Sequence, residues 1–360
     1  MTDIFLSPTR YVQKPGLLDD LGSYLPEFGC RPLVLADETV QAIIAPYFDR
    51  GRLPSGLSPR FVPFGVECSL AEIARLERIA ADEDVDLIVG TGGGKAIDTA
   101  RAVALKRRLP LVTLPTSAAT CSACSSLSVI YEGGIRRDTI YGKGAELVLA
   151  DSAVIAAAPP RLLAAGMGDA LVKFYEGSPT FEKTAAPLPS LQAAFNLSVQ
   201  IRDGILAQGL HAMRDAASGR ITAAVEAIIE ANILMAGVIG GIGGATFRVA
   251  LAHGLLYGMT VLPAVRRHLH GEMVSYGLIV QLCLEGKSQE ARRLIPFFRE
   301  LGLPLTLAEI GIGDLEDPLF REGLRRTCAP GGSAHNISVP VTEASLLDAV
   351  KAAEALIRSL

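Results

Sequence analysis

The sequence predicts an α/β domain, a parallel sheet with helices on both faces, followed by an all-α domain. Two observations carry this. Up to about residue 150, short apolar runs alternate with amphipathic segments, the pattern of strands buried on both faces and joined by crossover helices. Beyond Asp151 the strand-like runs give way to long alanine- and leucine-rich stretches with helical spacing.

In chain order, "RPLVLAD" (31–37), "RFVPFGV" (60–66), "DLIVGTG" (86–92), "PLVTLPT" (110–116) and "AELVLAD" (145–151) read as buried strands. Between them, "LAEIARLERIAADE" (70–83) and "KAIDTARAVALKRR" (95–108) read as helices, and "TSAATCSACSSLSVIY" (116–131) as a small-residue loop leading into a strand. A boundary falls at "AAAPPRLLAAG" (156–166), where the proline pair can open a helix, dividing the chain into 1–155 and 156–360. The stretches 190–216 and 221–239 read as long helices, and "GVIGGIGGATF" (237–247) as a loop between two helices.

Composition narrows the function. The 360 residues are 49% hydrophobic and 20% charged with net charge -4, so no basic face is expected for nucleic acid. No apolar run is expected to reach the roughly 18 residues of a membrane span, and "MTDIFLSPTR" lacks the basic and apolar regions of a signal peptide. A cytoplasmic protein acting on a small molecule, with no membrane partner, is the expectation. Six scattered cysteines do not form a disulfide framework. Cys121 and Cys124 make a C-x-x-C, but no second pair follows at zinc-finger spacing.

Three glycines, Gly92 to Gly94, stand between a strand and a helix, where bare backbone can present N–H groups to a phosphate. The pattern matches neither common nucleotide fingerprint, and steric need alone can also place glycines there. Asp37 ends an earlier strand, a place from which a carboxylate accepts ribose hydroxyls and repels a 2′-phosphate, which favours NAD over NADP. A carboxylate at a turn is the alternative.

In the second half, Asp169 lies in "AAGMGDALVKFYE", and His253 and His270 lie in the stretch 247–277. Singly, Asp169 reads as a helix cap and a histidine on an apolar helix as a core residue. Together they make a carboxylate and two imidazoles suited to a divalent metal acting as a Lewis acid on an alcohol oxygen. Spacing alone does not bring them together.

The blocks "GGGKAIDTARAVA", "PTSAATCSACSSLSVIY", "GMGDALVKFYE" and "AHGLLYGMTVLP" with "LHGEMVSYGLIVQL" resemble the glycerol dehydrogenase branch of the iron-containing (type III) alcohol dehydrogenase family. The likeness continues to "HNISVPVTEASLLDAVKAAEAL" (335–356). It implies a dehydroquinate synthase-like architecture, with an N-terminal dinucleotide-binding domain and a cleft holding NAD and one divalent metal. It also implies a homo-oligomer. By motif, Asp169, His253 and His270 match the metal ligands and act in catalysis through the metal. Gly93, Gly94 and Lys95 match the pyrophosphate loop, with Asp98 in the helix that follows. Thr116, Ala119, Ser125, Leu127 and Tyr131 match positions around adenosine and nicotinamide, and Asp37 matches the ribose acceptor.

Lys173 stands where iron-dependent members add a histidine, which favours zinc over iron. In the substrate pocket, Cys121 replaces an aspartate of the glycerol dehydrogenase pattern and Leu256 replaces a histidine. Losing those polar partners weakens selection for extra hydroxyls. The implied reaction is reversible hydride transfer between nicotinamide and a small diol, hydroxyketone or 2-hydroxy acid. The open alternatives are an NADPH-linked 2-oxo acid reductase, like the 2-hydroxycarboxylate dehydrogenases, a lyase of the dehydroquinate synthase type, and a silent homologue.

Overall fold

The computed structural model describes Ile4 and residues 7–49 and 51–360. Six strands form one parallel sheet: β1 (Arg10–Lys14), β2 (Pro32–Ala36), β3 (Arg60–Pro63), β4 (Leu87–Gly92), β5 (Leu111–Pro115) and β8 (Leu147–Asp151). Their order is β1-β8-β5-β4-β2-β3, and every pairing is parallel. All five strands read from the sequence are present. The four inner ones, β2, β4, β5 and β8, are buried along their whole length, which is why their sequences run apolar without alternation.

Side chains leave these strands alternately to two cores. Val34 and Ala36 pack with Val40, Ile44 and Leu21 on one face. Leu33, Leu35 and Ile88 pack with Ile73, Leu76, Ile97 and Val103 on the other, and that second core is continuous with the helical half. Two segments depart from the sequence reading. Edge strand β1 was not anticipated: only Val12 and Tyr11 of its side chains join the packing, so it carries little apolar signal. A separate antiparallel hairpin, β6 (Leu127–Glu132) and β7 (Ile135–Tyr141), turns on Gly133 and Gly134, both at positive φ.

The long helices begin at Pro160. Helices Pro160–Lys183, Leu251–Met259 and His270–Leu284 pack mutually, and Pro189–Ala217 lies against the first. The stretch 237–247 is not a loop. It is helical over Ala236–Ile242 and Gly244–Arg248, with a break between them. A methyl at Gly237 would meet the Cys124 backbone and Cβ at 2.6–2.9 Å, so this glycine serves a close helix–loop approach rather than chain flexibility. The helical run Ala223–Ile242 is long and apolar enough to cross a membrane by composition, yet 56% of its most apolar window is buried inside the protein. A one-turn π-helix, Ala231–Met235, interrupts it, and there Asn232 donates to the Ala118 carbonyl, tying the helical half to the loop after β5.

Candidate active site and metal centre

The chain reverses its direction across the sheet between β2 and β4, and the ends of these two strands form one wall of a cleft of about 520 Å³. Gly92 ends β4 at φ 98, a conformation that strains any residue with a Cβ. Gly93 caps the helix Gly94–Arg107 without a side chain, and a Cβ there would meet nothing. Gly93, Gly94 and Lys95 line the cleft at the positive end of that helix, an arrangement that binds phosphate. Lys95 stands at the same rim, its ammonium 5.2 Å from the centre of the Tyr131 ring.

The opposite wall carries the titratable groups. Asp169 sits in the middle of the helix Pro160–Lys183, not at its cap, and is 3% exposed. Two close backbone approaches hold that helix in place: a Cβ on Gly166 would strike the Ala118 carbonyl, and one on Gly271 would strike the Ala165 carbonyl. His253 comes from the helix Leu251–Met259 and His270 opens the helix His270–Leu284. Nε2 of His253 lies 3.4 Å from Asp169 Oδ1, and Nε2 of His270 lies 3.6 Å from the same oxygen. The ligating atoms of all three residues fall within 4.8 Å of one another. The sequence-predicted trio thus converges, on the cleft that the glycine turn also lines.

Glu176, fully buried, accepts the His253 backbone N–H at 2.9 Å and faces its Nδ1 at 2.5 Å. This turns Nδ1 to Glu176 and leaves Nε2, the nitrogen facing Asp169, as the one a metal can take, the usual orientation of a ligating histidine. Burial works against a charge on His253, as does Lys173, but Glu176 and Asp169 together make the ring more basic than a free imidazole. Burial likewise disfavours the charged Asp169 carboxylate, yet Lys173 and the two histidines hold it well below the usual carboxylate range. Lys173, one turn further along, places Nζ 3.2 Å from Asp169 Oδ1 and 3.4 Å from His253 Nε2. The donor set, the shared oxygen and the oriented His253 ring fit one divalent cation at this centre.

Most other predicted residues line the same cleft: Asp37, Gly93, Gly94, Lys95, Asp98, Ala119, Cys121, Ser125, Leu127 and Tyr131. Asp37 also caps the helix Glu38–Ile44, accepting from the Val40 N–H at 2.8 Å. Asp98 is occupied as a clamp: its carboxylate takes Arg101, the Ser122 hydroxyl and the Val129 N–H, pinning the loop after β5 to the nucleotide-side helix. Thr116 is not in the lining; it sits buried behind it with its N–H on the Gly92 carbonyl, and Ser117 faces the cleft instead.

Leu256 is a correction. It points away from the cleft into an apolar core with Met259, Met273, Tyr276 and Phe320, because the residues that turn toward the cleft on this helix are His253 and Tyr257. Cys121 does face the cleft, and burial followed by the nearby Asp169 pushes its thiol up to about 11, so it stands there neutral. Cys124 is a free thiol behind it, as is Cys121, which leaves the C-x-x-C without a disulfide. Arg137 and Lys143 pair with Glu132 and Glu146, and Arg136 stacks on Tyr257 with 4.8 Å to the ring centre. Sequence reasoning passed over Glu176, Tyr257, Arg248 and Arg267, all but the first on the cleft wall. Glu176 was within reach, since its spacing of seven from Asp169 puts both on one helix face.

The sequence model of the iron-containing alcohol dehydrogenase family matches residues 8–155. A glycerol dehydrogenase of Pseudomonas putida is 37% identical over 97% of this chain and 96% of its own. Another, from Thermotoga maritima, is 36% identical over 98% of this chain and 96% of its own. The crystal structure of a probable glycerol dehydrogenase from Sinorhizobium meliloti superposes with a TM-score of 0.91 at 34% identity, covering all of both chains. Relatives of this kind displace the lyase and the silent homologue, and the chain belongs to the iron-containing alcohol dehydrogenase family, among its glycerol dehydrogenase-like members.

Proposed function

We propose that this alcohol dehydrogenase binds NAD along the glycine turn and one zinc ion on Asp169, His253 and His270, and moves hydride between nicotinamide and a small secondary alcohol or ketone. The observation that carries the reading is the meeting of the Asp169–His253–His270 trio and the Gly92–Gly94 turn on one cleft. When bound, the metal supplies Lewis acidity that lowers an alcohol's pKa toward neutrality. The chain's own residues do the rest. Glu176 keeps His253 in the ligating tautomer, the helix at Gly94 receives the pyrophosphate, and Asp37 meets the ribose and disfavours NADP.

One observation favours a 2-hydroxy acid over a polyol as the substrate. Cys121 is neutral where the glycerol dehydrogenase pattern has a carboxylate, and Arg248, Arg266 and Arg267 line the same cleft. Guanidinium groups on the wall suit a substrate carboxylate. The same proposal takes the protein as a cytoplasmic homo-oligomer acting on a free small molecule, with size-exclusion chromatography as its check.

The experiment is an NAD-linked screen of diols, hydroxyketones and 2-hydroxy acids, run on chelator-treated protein and on the same protein reloaded with zinc. Net NADH formation that depends on zinc, with a 2-hydroxy acid turned over faster than glycerol, is the expected result. NADH formation unchanged after complete metal removal would overturn the metal reading, and a preference for glycerol would overturn the substrate reading.

A further inference from the structure

The centre described above already holds a cation. Lys173 is 4% exposed and its ammonium is in contact with two of the three proposed metal ligands, Asp169 Oδ1 at 3.2 Å and His253 Nε2 at 3.4 Å. No other carboxylate is hydrogen-bonded to it among the described residues. A buried ammonium requires polar partners, and Asp169 supplies the charged one.

The chemistry of the acceptors makes the arrangement exclusive. Asp169 Oδ1 has two lone pairs and can serve two cations. His253 has a single nitrogen to offer, because Nδ1 is turned to Glu176 and only Nε2 is left facing Lys173. That nitrogen serves Lys173 or a metal ion, never both. Electrostatics works in the same direction, since a divalent ion entering beside a buried ammonium meets like-charge repulsion in a poorly screened site.

We infer that Lys173 is a built-in competitor for the metal: its ammonium holds the Asp169–His253 pair together when no metal is bound, and a divalent ion binds by taking His253 Nε2 from it. This inference rests on the metal reading of Asp169, His253 and His270. Two consequences follow from the geometry. The wild-type centre binds zinc more weakly than the same ligands would without the lysine. The metal-free centre stays assembled, because its carboxylate is never left without a cation.

Zinc affinity, measured by competition with a chromogenic chelator, tests this on the full-length wild type, on Lys173→Met, on Lys173→Thr and on His270→Ala. Both lysine variants are expected to bind zinc about tenfold or more tightly than wild type, and His270→Ala more weakly. Lysine variants that bind no more tightly than wild type, while His270→Ala still weakens binding, would overturn the competition and leave the metal reading standing. Equal zinc binding by wild type and His270→Ala would overturn the metal reading itself, and the inference with it. A crystal structure of zinc-soaked wild type needs no variant: Lys173 Nζ should have left His253 Nε2, and zinc on that nitrogen with the lysine still in hydrogen-bond contact would contradict the inference.

Discussion

The two walls of the cleft are built on opposite principles. The nucleotide wall is made of backbone: Gly92 at positive φ, Gly93 with empty space where a side chain would stand, and the bare start of the helix Gly94–Arg107. The opposite wall is made of buried charge, with Asp169, Lys173, Glu176 and His253 each no more than 4% exposed. Peptide groups on a cleft wall carry only partial charges and can be met by solvent or ligand, so the first wall depends on shape. Full charges away from water do need it, so in the second wall each group's ionisation depends on its neighbours.

That contrast sets the order of expected effects. Asp169→Ala should be the most damaging: it removes the oxygen shared by both histidines and Lys173, should abolish zinc binding and turnover, and should cost about 3–5 kcal/mol in denaturant unfolding. His270→Ala separates function from stability. His270 is the most exposed of the three ligands, so turnover should vanish while unfolding shifts by no more than about 1 kcal/mol. A large stability loss there would break the idea that the coupled charges lie on the Asp169–His253 side. Glu176→Gln keeps the shape and releases the His253 tautomer; zinc affinity should fall by about 10- to 100-fold with NAD affinity unchanged in a fluorescence titration.

On the backbone wall, Gly92→Ala should cost about 1–2 kcal/mol from the left-handed backbone alone and weaken NAD binding, with zinc affinity unchanged. The smallest effect concerns Glu272. Burial opposes its charge, but Arg161, paired through two nitrogens, and the Leu269 N–H lower its pKa in the fold. Its contribution is therefore present above the unfolded carboxylate value, and it is lost as pH falls through the lower folded one. Glu272→Gln should cost about 1 kcal/mol at neutral pH, a difference that closes on acidification below about pH 4.

The same contrast explains what was legible in the sequence. The glycine turn and the four inner strands declare themselves locally, because a fully buried strand must be apolar and a residue at φ 98 is best a glycine. Asp169, His253 and His270 were readable as candidate ligands only through their motifs, since nothing local says that three helices cross within reach of one oxygen. Leu256 was misplaced for a similar reason: the motif gives its register on the helix, while the helix's rotation, set by packing against Phe320 and Met273, turns Tyr257 to the cleft instead. The glycines of 237–247 misled because a glycine that permits close packing and a glycine that breaks a helix look alike in a string of letters.

The most direct test of the account is anomalous diffraction at the zinc edge from crystals grown with zinc and NAD. The account places a single peak about 2.0–2.2 Å from an Asp169 oxygen and from Nε2 of both His253 and His270, with the pyrophosphate on the Gly93–Lys95 backbone. A peak elsewhere, or none in protein that still reduces NAD, would contradict it.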